Sequence, residues 1–182
     1  SRTRLLELFD LLREQVSKEL VELYKSRDNY GQVCDVLYYF WVKILPCPSC
    51  ENSVDLFPSY VFAKHAYPKK YPQVHIVCPD CSHIFPDVYD SKSVECPNCN
   101  LIFNPHLGNA NYTKVTCRYC EESFTIAQIA RGQGFPPEHR LYAKLILSGS
   151  GRKEYLPITQ YDLVSYRTAQ NQKFRMYFVF KK

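Results

Sequence analysis

Leu5, Phe9, Leu12, Val16, Leu20 and Leu23 recur at spacings of three and four, placing six apolar residues on one stripe. The other faces are charged, with six acidic and six basic residues over positions 1–31. The pattern predicts an amphipathic docking helix over 3–27, closed by Gly31, and reads more readily as a core or bundle helix than as a coiled-coil arm. The period then disappears. Positions 36–45 (VLYYFWVKIL) are β-branched and aromatic, which predicts a buried strand with Tyr38, Tyr39 and Trp41 in its core. Further on, 142–147 (YAKLIL) and 155–158, joined through SGSGRK, predict a β-hairpin. Thr159 followed three residues later by Asp162 has the form of a capping box, so a helix is expected over 160–171. Positions 174–180 (FRMYFVF) predict a last strand.

Between these flanks one small pattern occurs four times: a short apolar strand, C-x-x-C, then another apolar stretch. The copies are ILPCPSC with VDLF, HIVCPDC with HIF, VECPNC with LIF, and KVTCRYC with SFTI. The repeat is too short for a solenoid. It holds eight of the nine cysteines, as Cys47/Cys50, Cys78/Cys81, Cys96/Cys99 and Cys117/Cys120. At this spacing a tight turn aims both sulfurs at one point, at the distance of about 2.3 Å that Zn²⁺ requires. Two turns complete a tetrahedral site, so four turns make two Zn²⁺ sites. Four thiolates leave no open position for water, which marks both sites as structural.

Other uses of the cysteines fit less well. A disulfide framework needs an oxidising compartment, and C-x-x-C disulfides are strained. Thioredoxin-like chemistry uses a single C-x-x-C opening a helix, and separated knuckles suit zinc better than an iron–sulfur cluster. For the pairing, sequential closure spans 27 and 17 residues, whereas nested closure spans 14 inside 66. Shorter loops favour the sequential arrangement. Cys34 is left over as a buried, inert thiol, and His83 and His106 are bystanders, since neither set of four lacks a cysteine.

Length and composition add bounds. A chain of 182 residues suits one ordinary domain or two small ones, and 46% hydrophobic residues with 15 Tyr and 11 Phe exclude a disordered chain. The longest apolar run, 36–42, has seven residues, far short of the ~18 that span a bilayer, so no membrane partner is expected. Ser1 at the start, and Lys181 and Lys182 directly after an apolar run, suggest a piece cut from a longer protein.

YYFWVK before CPSC, the HAYPKK segment, the later knuckles, and YAKLIL-SGSGRKEYLPIT with Asp162 and Tyr166 together resemble a zinc-ribbon region of restriction-modification type DNA adenine methylases. The resemblance runs over about 38–166. It implies a parent enzyme that uses S-adenosylmethionine to methylate the exocyclic amine of adenine, with DNA and the parent's own catalytic domain as partners and a cytoplasmic location. This chain lacks the cofactor loop and the D/N-P-P-Y/F motif that grips a flipped adenine; Pro136-Pro137 is followed by Glu138-His139. No catalysis is expected from it. Ser82 and Asn100 stand where ribbons often carry Gly, so a slightly distorted second knuckle is expected at Ser82.

Charge then selects candidate DNA contacts. The formal charge is +5, and residues 131–182 hold ten Lys+Arg against three Asp+Glu. Basic residues gather at Lys64, His65, Lys69 and Lys70 with Tyr67 and Tyr71, at Arg118 and Arg131, and at Arg140, Lys144, Arg152 and Lys153 around the hairpin. Such residues neutralise phosphates while interleaved tyrosines pack on sugars or bases. Eight zinc-bound thiolates and two dications would take the charge four units down to +1, so the tail and the Lys69-Lys70 loop should lead any DNA contact. The alternative is a structural zinc module for protein or inter-domain docking. The expected fold is α+β: a helix over 1–31, two four-cysteine zinc ribbons over 32–126, and a basic hairpin-helix-strand tail over 127–182.

Overall fold

The computed structural model describes residues 2–134 and 136–179. It is α+β, with small antiparallel sheets and two four-cysteine clusters. The chain forms two compact units, one of residues 1–39 with 144–182 and one of residues 40–143. These divide the chain differently from its composition, because the long strands β2 (Val33–Pro46) and β12 (Glu138–Leu147) each contribute to both units.

The first unit begins with α1 (Arg2–Val21), which gives way to a 3-10 turn at Glu22–Tyr24 and then to β1 (Lys25–Arg27). The helix is thus a turn and a half shorter than its period suggests. Ser26 is fully buried, and β1 pairs antiparallel with β2, so this stretch stabilises more as a sheet edge than as a last helical turn. Gly31 serves the β1–β2 turn with a positive φ of 78° instead of capping the helix. Leu5, Phe9 and Leu20 of the predicted stripe are exposed, and Leu12 and Val16 lie outside the described side chains.

The sheet order is β1-β2-β12-β13, with β13 at Lys153–Pro157. The predicted hairpin is present, turned by Ser148–Arg152 with Gly151 at φ 75°. Cys34, Val36, Ile146 and Leu156 form a small core with Tyr39 packed on it. The capping box is also present: the Thr159 N–H and hydroxyl donate to Asp162 Oδ2 at 2.8 and 2.6 Å, opening α3 (Gln160–Val179). The last strand predicted at 174–180 is not found. Positions 174–179 continue α3, and Phe180 lies outside the described residues. No Gly or Pro interrupts 160–179, and extending a nucleated helix costs less than starting a strand with no neighbour.

In the second unit β3 (Ser53–Asp55) pairs with the end of β2, and β9 (Ala110–Asn111), β10 (Lys114–Thr116) and β11 (Ser123–Thr125) form a small sheet. Leu45, Val54, Leu56, Ala110, Val115 and Phe124 close a core around Cys47 and Cys117, with Ile126 and Ile129 of α2 (Ile126–Gln133) against it. Between these parts are β4 (Val61–Lys64), β5 (Gln73–Val77) and β6 (Ile84–Val88), then the short pair β7 (Val94–Glu95) and β8 (Ile102–Phe103). Phe57, Phe62 and Tyr142 meet edge to face, as do Tyr60 and Phe103. Gly108 admits no Cβ, which would stand 1.9 Å from the Phe57 carbonyl oxygen.

Trp41 and Tyr38 are not core residues. Trp41 is 43% exposed and Tyr38 more so, while Val36 and Val42 point inward. A contiguous apolar run reads as buried on both faces, yet β2 is covered only in places: Tyr38 shares the face of Val36 and Val42 and is still open to solvent, while Leu45 on the other face is buried.

Candidate metal centres

Each C-x-x-C is a turn with one repeated backbone pattern. The first cysteine's N–H donates to the carbonyl five residues on: Cys47 to Asn52, Cys78 to His83, Cys96 to Leu101 and Cys117 to Glu122, all at 2.8–2.9 Å. Its carbonyl accepts from the N–H four residues on, at Glu51, Ser82, Asn100 and Glu121. Those four donating residues all take a left-handed backbone, with φ of 60°, 58°, 59° and 61°. Ser82 therefore matches its three counterparts, and the expected distortion of its knuckle is absent. Glu51 and Glu121 carry the same conformation, which their sequence position directly after the second cysteine signals and their residue type does not.

The turns converge as Cys47, Cys50, Cys117 and Cys120 in an outer cluster and Cys78, Cys81, Cys96 and Cys99 in an inner one. In each, the sulfurs lie within 4.8 Å of one another. Sulfur separations are 3.6 Å for Cys47–Cys120, 3.7 Å for Cys50–Cys117, and 3.6 Å for both Cys78–Cys99 and Cys81–Cys96. These are too long for disulfides. Sulfurs at the corners of a tetrahedron with bonds of about 2.3 Å stand about 3.8 Å apart, so both clusters fit a tetrahedral ion.

The pairing is nested, which corrects the sequential expectation. The two arrangements differ in summed loop closure by about one doubling of loop length, or about 0.6 kcal/mol. Closing the outer cluster buries Leu45, Val54, Val115 and Phe124 together, each a gain of about 1.5–3 kcal/mol. Packing outweighs loop entropy here.

Without a metal the thiols share protons unequally. Hydrogen bonds from Asn52 bring Cys50 down to about 6. Cys120, although the Glu122 amide favours its thiolate, is held up at about 12 by burial and its three neighbouring thiols. In the inner cluster burial raises Cys78, while Cys81, against its own burial, is brought down to about 7 by Asn98, His83 and the facing thiols. Each cluster therefore has one thiol that ionises more easily than its neighbours, and a dication would displace the remaining protons.

Among the described residues the two clusters contain cysteines alone. His83 stacks on Phe85, and His106 Nε2 lies 2.7 Å from the Tyr89 carbonyl oxygen. Cys34 is buried in the first unit's core, where burial raises its thiol.

The basic residues divide into those with local contacts at most and those committed to partners far along the chain. Lys64, Lys69, Lys70, Arg131, Arg152 and Lys153 are exposed, with Lys64 over Tyr89 and Lys70 over Tyr71. Arg118 lies over the Tyr119 ring and donates to the Pro79 carbonyl, linking a knuckle of the outer cluster to one of the inner. Arg140 donates through Nε to Asp55 Oδ1 at 2.5 Å and through a second nitrogen to Asp55 Oδ2. Lys144 is no surface cation. It is fully buried and donates to Asp162 Oδ2 at 2.8 Å, Ser26 Oγ at 2.6 Å and the Arg27 carbonyl at 3.2 Å. The signal for it was a lysine inside the apolar run YAKLIL, which a buried acid must match. Burial would raise Asp162, but Lys144, Ser26 and Thr159 hold its carboxyl below the usual range.

No protein-family model, curated protein or solved structure matches this chain. Among the described residues, no helix is long and apolar enough to cross a membrane.

Proposed function

We propose that the chain is a structural zinc module, with one Zn²⁺ in each four-cysteine cluster, that presents DNA-contacting side chains in a cytoplasmic DNA adenine methyltransferase. The observation that carries the reading is the pair of four-sulfur sets, each within 4.8 Å and with facing sulfurs at 3.6–3.7 Å. Four soft thiolates select zinc over harder cations and leave no coordination position for substrate, so the role is structural. The exposed cations at Lys64, Lys69 and Lys70 in one unit, and at Arg152 and Lys153 in the other, support contact with phosphates. Arg118 and Arg140 serve the zinc-bearing unit itself, since both already hold partners within it. Methyl transfer would belong to another part of the parent enzyme, as implied by the resemblance of 38–166.

Metal analysis should return two zinc ions per chain. Duplex DNA should bind with an affinity that falls steeply with salt, and charge reversal at Lys69, Lys70, Arg152 and Lys153 should abolish binding. No duplex binding at low salt would sink the DNA reading. It would favour a docking module instead, for which the exposed Leu5 and Phe9 of α1 speak.

A further inference from the structure

The second unit carries an open groove that contains none of the eight clustered cysteines, although Leu56, Ala110 and Ile126 of its wall also belong to the core around Cys47 and Cys117. A cleft of ≈ 760 Å³ adjoins one of ≈ 340 Å³, and the two share Lys43, Leu56 and Pro58 along their walls. Trp41 lines the smaller cleft and Tyr112 the larger. Trp41 and Lys43 are two residues apart on β2 with buried Val42 between them, so they point from the same face about 7 Å apart. Tyr112 is 97% exposed and held at φ 48°, a conformation a bulky side chain rarely takes. It therefore offers its ring to solvent at a backbone cost that its packing does not return. The Lys43 ammonium has no partner among the described residues, and no carboxylate lines either cleft.

A flat aromatic ring in each cleft, apolar walls and one unpaired cation complement a chain that carries flat rings and anionic links. We propose that this groove holds a single-stranded segment of nucleic acid, with bases stacked on Trp41 and Tyr112 and a phosphate on Lys43. Asn111, also on the wall, offers an amide to a base edge. A proline-rich peptide could also use aromatic walls, but it gives the lone cation nothing to neutralise. This inference rests on the nucleic-acid reading above and deepens it, because it places unpaired bases in the groove while the Lys69-Lys70 and Arg152-Lys153 cations meet duplex phosphates.

Trp41 is the only tryptophan in the chain, so its fluorescence reports on the groove alone. The zinc-loaded 182-residue protein would be titrated with an oligothymidylate of about a dozen nucleotides, with a labelled duplex, and with a proline-rich peptide. The expected result is quenching of Trp41 by the oligothymidylate, weakened by salt, and little change with duplex. Tyr112→Ala and Lys43→Glu should each weaken that binding about tenfold or more while retaining two zinc ions per chain. Should a variant lose zinc, the contrast between single strand and duplex in the native protein still decides. Duplex binding by anisotropy with unchanged Trp41 emission for both DNAs would overturn the groove assignment and leave the DNA reading standing. Binding of neither DNA would overturn both, and quenching by the peptide alone would assign the groove to a protein partner.

Discussion

The two units solve the same problem, a shortage of apolar core, in different ways. Residues 40–143 gather around two sets of four sulfurs, each assembled from turns of one design. Residues 1–39 with 144–182 gather around one buried ion pair, Lys144–Asp162, roofed by Ser26 and Thr159 beside the Cys34, Val36, Ile146 and Leu156 cluster. The first solution uses repeated local turns, and a metal would supply the cohesion. The second depends on groups brought together from distant positions, with Ser26 and Asp162 separated by 136 residues. A thiolate cluster without its ion is a set of crowded, repelling groups, whereas the ion pair needs nothing from outside the chain.

Metal removal should separate them most sharply. A strong chelator is expected to erase amide-exchange protection across 40–143, since structural zinc contributes on the order of 10 kcal/mol per site. Protection in β1, β13 and the start of α3 should persist; its simultaneous loss would mean that the first unit has no independent stability. Next in size is Lys144→Ala, which leaves the Asp162 carboxylate buried without its cation and should cost about 3–5 kcal/mol in urea unfolding followed at first-unit amides.

Acid should distinguish the units by order of failure. Asp162 has a folded pKa below its unfolded value, so its stabilisation is present above the ordinary carboxylate range and is lost only as pH falls through the lower folded value. Thiols have ordinary pKa values near 8.5, about four units above a carboxylate, so protons compete for the sulfurs far earlier. Zinc release, read with a chromogenic dye, is expected at higher pH than loss of first-unit protection. The smallest effect lies in the turns: Glu51→Gly, Ser82→Gly and Glu121→Gly each relieve a left-handed backbone and should stabilise the metal-loaded protein by up to about 1 kcal/mol in thermal unfolding.

What could be read in the sequence follows the same division. The eight clustered cysteines were legible because C-x-x-C is local chemistry repeated four times, and the hairpin and capping box were legible for the same reason. The nested pairing was not. The loop lengths nearly balance, and the choice fell to long-range packing of Val54 and Leu45 with Val115 and Phe124. Asp162 was visible as a cap but not as the partner of Lys144, which pairing across the sheet brings to it. Aromatic content misled twice: it placed Trp41 and Tyr38 in a core, and it predicted a strand where α3 runs on. Aromatic residues favour strands only where a neighbouring strand receives them.

Nested connectivity also sets a timetable during synthesis. The inner four cysteines are all present once residue 99 has been made, whereas Cys47 and Cys50 wait for Cys117 and Cys120. At 5–20 residues per second that wait lasts roughly 4–14 s. Throughout it the outer pair offers an ion only two sulfurs, and for its last stretch, roughly 1–4 s after Cys99, the inner set can already close. Metal would therefore enter the protein from the middle outward, and the outer site would be the one open to a wrong ion or a foreign thiol while the chain is still on the ribosome.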